Sequence, residues 1–157
     1  MAGQRFEVSV LMVGSNDVTH MTPTRDVERD LVELLGSLTR LCGPVVVSSL
    51  PEFLAMRALP HPFMEAVRIR AAQVRRMHQR VTDGLPDVHL VDVRAAVGRE
   101  FVGKTTNAMS ADLFHPSAFG YARIADALAP DIIAVLAAES RKDSPDDNPH
   151  TQPTWAC

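Results

Sequence analysis

Three short runs of β-branched and apolar residues, separated by two long amphipathic segments, restrict this chain to a sheet whose strands run parallel. Residues 6–13 (Phe6-Glu7-Val8-Ser9-Val10-Leu11-Met12-Val13) stop at Gly14, residues 45–50 stop at Pro51, and residues 88–93 follow Gly84. Each run is short and punctuated, as buried strands are. Residues 24–40, capped by Thr24 or Asp26, put Val27, Leu31, Leu34, Leu35 and Leu38 on one helical face. A second helix is predicted over residues 63–81. Strands joined through helices cannot be hairpin partners, so the expected architecture is α/β, a parallel sheet with helices on both faces. The last helix is predicted over 117–139 with Ile124, Ala127, Leu128, Ile132, Ile133 and Leu136 inward. Pro130 should kink it or split it in two. Residues 51–62 carry Pro51, Pro60 and Pro62 and read as an irregular loop. Residues 94–111 read as a short helical turn followed by a polar loop. The domain is placed at 6–139, and the Pro- and Asp-rich stretch 140–157 is predicted to be a disordered polar tail.

Composition narrows the function classes. With 157 residues, 46% of them hydrophobic, the chain can bury one real core. A net charge of −3 gives no general attraction for nucleic acid, and no run reaches membrane-spanning length. Arg68, Arg70, Arg75, Arg76 and Arg80 recur at helical spacing and read as a solvated helix face. Cys42 and Cys157 are the only cysteines, which argues against a disulfide framework and for a reducing compartment. With no signal peptide in the sequence given, a cytoplasmic location is the expectation, although a longer form could be exported.

The polar residues that could do chemistry fall in two clusters about a hundred positions apart. Gly14-Ser15-Asn16-Asp17 closes the first strand at its carboxyl end. Asp112-Leu113-Phe114-His115-Pro116-Ser117 precedes the last helix, with Pro116 suited to its first position. In open parallel sheets, sites form beyond the carboxyl ends of the strands, so the two clusters are expected on one rim. An Asp that accepts from one imidazole nitrogen fixes the tautomer and supports the cation formed at the other. Each cluster alone has a plainer reading. Asn16-Asp17 could be an Asx turn, Asp112 an acid favoured near a helix start, and His115 a partly exposed cap. His20 could line the cleft beside Asn16, whereas His61, His78, His89 and His150 read as surface or loop residues. A metal site from His20, Asp112 and His115 is conceivable, but no spacing calls for one.

Taken together, the two blocks resemble the SGNH (GDSL-type) hydrolases. Val13-Gly14-Ser15-Asn16-Asp17 is similar to that family's Gly-x-Asn-Asp block, and Asp112-x-x-His115-Pro116 with Gly120-Tyr121 to its Asp-x-x-His-Pro block and trailing helix. The resemblance covers about residues 6–138 and implies a three-layer, flavodoxin-like fold. It implies hydrolysis of a carboxylic ester through an acyl-enzyme, with no cofactor. By position it makes His115 the general base, Asp112 its orienting acid, Asn16 an oxyanion donor, and Gly14 the point where backbone approaches substrate.

The chain departs from the family pattern at its start. The Gly-Asp-Ser strand that supplies the nucleophile does not occur, nor does the second block with its Gly donor, so the chain opens on the family's third block. The resemblance therefore implies an amino-terminally shortened member with its first strands missing, through a start codon set too far downstream or a gene remnant. Ser15, Ser48, Ser49 and Ser110 are the serines near the rim, and each reads better as a turn or strand-end residue. Without a hydroxyl facing His115 the covalent route has no first step, so activity is expected to be impaired. An exposed sheet edge should then favour self-association.

Two other readings compete. One is a non-catalytic remnant or binding module that keeps the rim. The other rests on Gly98-Arg99-Glu100-Phe101-Val102-Gly103-Lys104-Thr105, which matches the P-loop pattern. A P-loop should join a buried strand directly to a long helix whose N-terminus holds phosphate. Here a helical turn intervenes first and a loop follows, so nucleotide binding is disfavoured.

Overall fold

The computed structural model of the chain describes residues 6–50, 62–101, 107–112 and 114–142. Its three strands, β1 (Ser9–Leu11), β2 (Val45–Ser48) and β3 (Val88–Val91), form one parallel sheet in the order β1-β2-β3. Register is continuous: Ser9 lies opposite Val45, Val45 opposite Val88, and Ser48 opposite Val91. β2 is central and all four of its residues are buried, which is why it reads as an unbroken Val run rather than an alternating one.

The side chains of β2 alternate between two cores. Val45 and Val47 join Val27, Leu31 and Leu35 of α2 (Thr24–Cys42) and Val67, Ala71, Val74 and Met77 of α3 (Phe63–Asp83). Val46 points the other way, to Ile124, Leu128 and Val135 of α5 (Ala118–Lys142) and to Val93 and Val97 of α4 (Val93–Val97). The three-layer α/β architecture is therefore as the strand–helix alternation predicts. A short helix, α1 (Ser15–Thr19), turns directly off β1, and a 3₁₀ segment at Gly98–Phe101 extends α4.

Several boundaries and faces differ from expectation. β1 pairs only over Ser9–Leu11, and Val10 and Met12 are each 47% exposed because β1 ends the sheet among the described residues. α2 is capped by Pro23 rather than by Thr24 or Asp26. α5 runs unsplit through Pro130, since a proline ring removes one helical hydrogen bond while the turns on either side stay packed against the sheet. Its buried stripe runs through Gly120, Ile124, Leu128 and Val135, which leaves Ile133 at 65% exposure on the opposite face. Arg70 does not belong to a solvated arginine face. It is buried and donates to the Thr24 hydroxyl and the Thr22 carbonyl, tying α3 to the start of α2. The proline-rich loop 51–61 and the tail from 143 lie outside the described residues.

Candidate active site

The loop 107–117 folds back on itself before α5. Ser110 N–H donates to the His115 carbonyl (2.9 Å), Ser117 N–H donates to the Ala108 carbonyl (2.9 Å), and Met109 bridges Pro116 in antiparallel fashion. Ser117 caps α5, its hydroxyl accepting from Gly120 N–H at 3.1 Å and donating to the Asn107 carbonyl. Pro116 therefore sits just before the cap and not in the first turn. Gly120 is required for this seat. A Cβ there would lie 2.1 Å from the Ala108 carbonyl oxygen and 3.1 Å from Phe101.

Inside this loop Asp112 is almost saturated with donors. Its Oδ2 lies 2.7 Å from His115 Nδ1. Its Oδ1 accepts from the Ser110 hydroxyl (2.6 Å) and from the backbone N–H of Phe114 (2.9 Å) and His115 (3.0 Å). The His115 bond first, then Ser110 and the two N–H groups, hold the Asp112 carboxyl far below the usual carboxylate range. An ionised carboxylate at Nδ1 places the proton on that nitrogen and leaves Nε2 with a lone pair. Phe114 packs edge-on against the imidazole, with ring centroids 4.7 Å apart. Among the described residues nothing hydrogen-bonds to Nε2, and the His115 side chain is 61% exposed. The geometry leaves the His115 imidazole oriented through Nδ1 and accessible at its other edge.

The second cluster reaches the same place from β1. Gly14 adopts φ +100°, a left-handed conformation natural only to glycine, and turns the chain from strand into α1. Its carbonyl accepts from Val18 N–H, so Asn16 is carried in the first turn at the strand's carboxyl end. One cavity of about 550 Å³ is lined by Gly14, Ser15, Asn16 and Asp17 and by Phe114, His115 and Pro116. Ser48, Ser49 and Leu50 form its floor, and Met12, Phe101, Met109, Tyr121 and Ile124 supply apolar walls. Residues 16 and 115 thus face one cleft, as the shared rim predicts.

Ser48, Ser49 and Ser110 are otherwise engaged, whereas Ser15 lines the cavity. Ser48 and Ser49 are buried; the Ser48 hydroxyl donates to the Ser49 carbonyl (3.0 Å) and that of Ser49 to Asp92 (3.2 Å), whose other task is to cap α4. Ser110 belongs to the Asp112 network. No described hydroxyl is bonded to the His115 imidazole; the Ser110 hydroxyl reaches only the His115 carbonyl, at 2.8 Å. His20 does not line the cavity, and among the described residues no group of three His, Cys, Asp or Glu side chains is arranged to hold a metal ion. The first part of the P-loop-like stretch is 3₁₀ helix, and residues 102–106 lie outside the described residues. No described helix is long and apolar enough to cross a membrane.

Sequence reasoning missed His78. Placed there as a surface residue, it is 1% exposed, and its ring lies against Gly14. The signal was available: Val67, Ala71, Val74, His78 and Thr82 continue one buried stripe along α3 at three- and four-residue steps.

Comparison with known proteins bears on the family and the fold. The chain is 26% identical over 131 residues to the GDSL-like esterase Rv1075c of Mycobacterium tuberculosis (strain ATCC 25618 / H37Rv), a match over 82% of this chain and 40% of that protein. The fold is similar to a catalytic mutant of Axe2, an acetylxylan esterase from Geobacillus stearothermophilus. That match has TM-score 0.62 and 19% identity, over 80% of this chain and 59% of the other. It is also similar to LAE5, an alpha/beta hydrolase enzyme from the metagenome of Lake Arreo, Spain, with TM-score 0.55 and 20% identity over 85% and 61% of the two chains. The chain thus spans less than two thirds of the length of these relatives. The GDSL-like lipase/acylhydrolase family model matches residues 2–123, most of the sequence, and the chain belongs to that family.

Proposed function

We propose that this chain carries the acid–base and oxyanion half of a carboxylic-ester hydrolase site. His115 is the general base, Asp112 orients it, the Asn16 side-chain amide donates to the developing oxyanion, and Gly14 lets the backbone approach the ester. The observation that carries this reading is the convergence of Asn16 with the 2.7 Å Asp112–His115 pair on one cavity. Esters of lipids, acetylated sugars or small acyl groups are the substrate class, without metal or cofactor.

The finer part of the proposal concerns rate. With no described hydroxyl at Nε2, the partner proposed for His115 is water, and hydrolysis through the described site is direct and slow. Sites of this type that lose their nucleophile retain about 10³–10⁴-fold acceleration over water from oxyanion and binding effects. The test is turnover of 4-nitrophenyl acetate. Slow turnover that falls to the buffer rate in both His115→Ala and Asn16→Ala is expected. Turnover unchanged in either variant would remove that residue from the reading. The unpaired outer side of β1, with Val10 and Met12 exposed, also fits self-association through the sheet edge.

A further inference from the structure

The one fully buried imidazole of the described residues lies under the turn that presents Asn16. His78 sits on α3 with its Cε1 and Nε2 3.1 and 3.2 Å from the point where a Gly14 Cβ would be, beside Leu50 Cδ2 at 3.2 Å. Neither ring nitrogen has a hydrogen-bond partner among the described residues. A leucine would fill this space without stranding two polar atoms, so packing alone gives no reason for the imidazole. A small cavity of about 180 Å³ adjoins the ring, lined also by Val13, Gly14, Asp17 and Asp30.

We propose that His78 is the positioning residue of the Asn16 turn: its neutral ring is the seat of Gly14, and its protonation shifts Gly14–Asn16 and with it the amide that faces the cleft. The inference rests on the oxyanion role proposed for Asn16. Two contacts bracket that residue. Gly14, two positions before it, leaves no room for a Cβ against the ring, and Asp17, one position after it, lines the same small cavity and supplies the opposite charge that acts on the ring. Burial disfavours the imidazolium and Asp17 favours it, with burial the larger effect, so the ring is neutral near pH 7 and titrates below the ordinary imidazole range. The other charged group lining that cavity is Asp30 from α2, whose carboxylate accepts from Arg29. The end of β1 and Leu50 contribute only apolar and backbone atoms. Once charged, the ring is drawn toward Asp17 across the small cavity, and Gly14, with no room for a Cβ between its backbone and the ring, moves with it.

The test is a proton and nitrogen NMR titration of the chain from pH 8 to 4.5, without substrate, in the His115→Gln background so that the cleft imidazole contributes nothing. The expected result is a His78 Cε1–H midpoint below 6.5, with the Gly14 and Val18 backbone amides and the Asn16 side-chain amide shifting at the same midpoint. Adding His78→Gln should abolish that shared transition. Amides that stay fixed while His78 titrates would overturn the proposal, as would the same transition surviving in His78→Gln. If that variant does not fold, the titration of the parent decides alone. A purely structural histidine would change melting temperature without linking these midpoints. Failure of the oxyanion reading is seen separately, as unchanged ester turnover in Asn16→Ala.

Discussion

Gly120→Ala is the substitution that best exposes how the site is built. At an unconstrained position inside a helix, this change stabilises by about 1 kcal/mol, because alanine is the better helix former. At Gly120 the added Cβ would lie 2.1 Å from the Ala108 carbonyl oxygen, and backbone cannot yield as a flexible side chain can. Ala108 must retreat by at least about 1.3 Å to reach ordinary van der Waals contact. Overpacking of this kind costs about 1–3 kcal/mol. The retreat also strains the 2.9 Å bond from Ser117 N–H to the same carbonyl, a further ~1 kcal/mol. After the helix gain is subtracted, the net loss is about 1–3 kcal/mol. With a urea m-value of about 2 kcal/mol/M, the unfolding midpoint should fall by roughly 0.5–1.5 M. Because Ala108 anchors the loop 107–117, amide exchange at Phe114 and His115 should also quicken. A midpoint equal to or above that of the parent would show that α5 and the loop are not locked together at Gly120, and would refute the argument.

Asp112→Ala should leave global stability nearly unchanged, since the residue is exposed, while Phe114 and His115 N–H lose their acceptor and exchange faster with deuterium. The depressed Asp112 pKa predicts the same loosening in acid: its contribution is present above the ordinary carboxylate value of 3.8 and is lost as pH falls to the folded value. His78 gives a second pH signature, because its folded pKa is lowered, so the unfolded state binds the proton first. Stability should therefore decline as pH falls below 6.5, and urea midpoints of His78→Gln should lack that decline. Val10→Lys, on the exposed face of β1, should shift sedimentation toward monomer if the open edge drives association.

What the sequence revealed was what is local or repeated. The Asp112–His115 pair lies three positions apart, so its hydrogen bond follows from one loop, whereas the cap fell to Ser117 and not to a helix begun at Pro116. The three strands were legible because β-branched runs end on Gly14, Pro51 and a turn. The meeting of Asn16 with His115 was legible only through the rule that sites gather at one rim of a parallel sheet. The faces of single helices were harder to read. His78 was misplaced because its polarity outweighed its position in the α3 stripe, and Arg70 because a bond to the Thr22 carbonyl can bury a guanidinium. Ile133 was placed inward because apolar residues surround α5 on several sides, so periodicity alone did not fix its buried face. The engagement of Ser49 depends on Asp92, more than forty residues away, and no local pattern carries it.

The central proposal is that His115 is an oriented base that faces no nucleophilic hydroxyl among the described residues. The most direct measurement is the intact mass of the chain after incubation with an excess of a fluorophosphonate that labels a serine esterase control to completion. The mass should be unchanged. One adduct per chain, mapping to Ser15, Ser48, Ser49 or Ser110 and lost in His115→Ala, would contradict it.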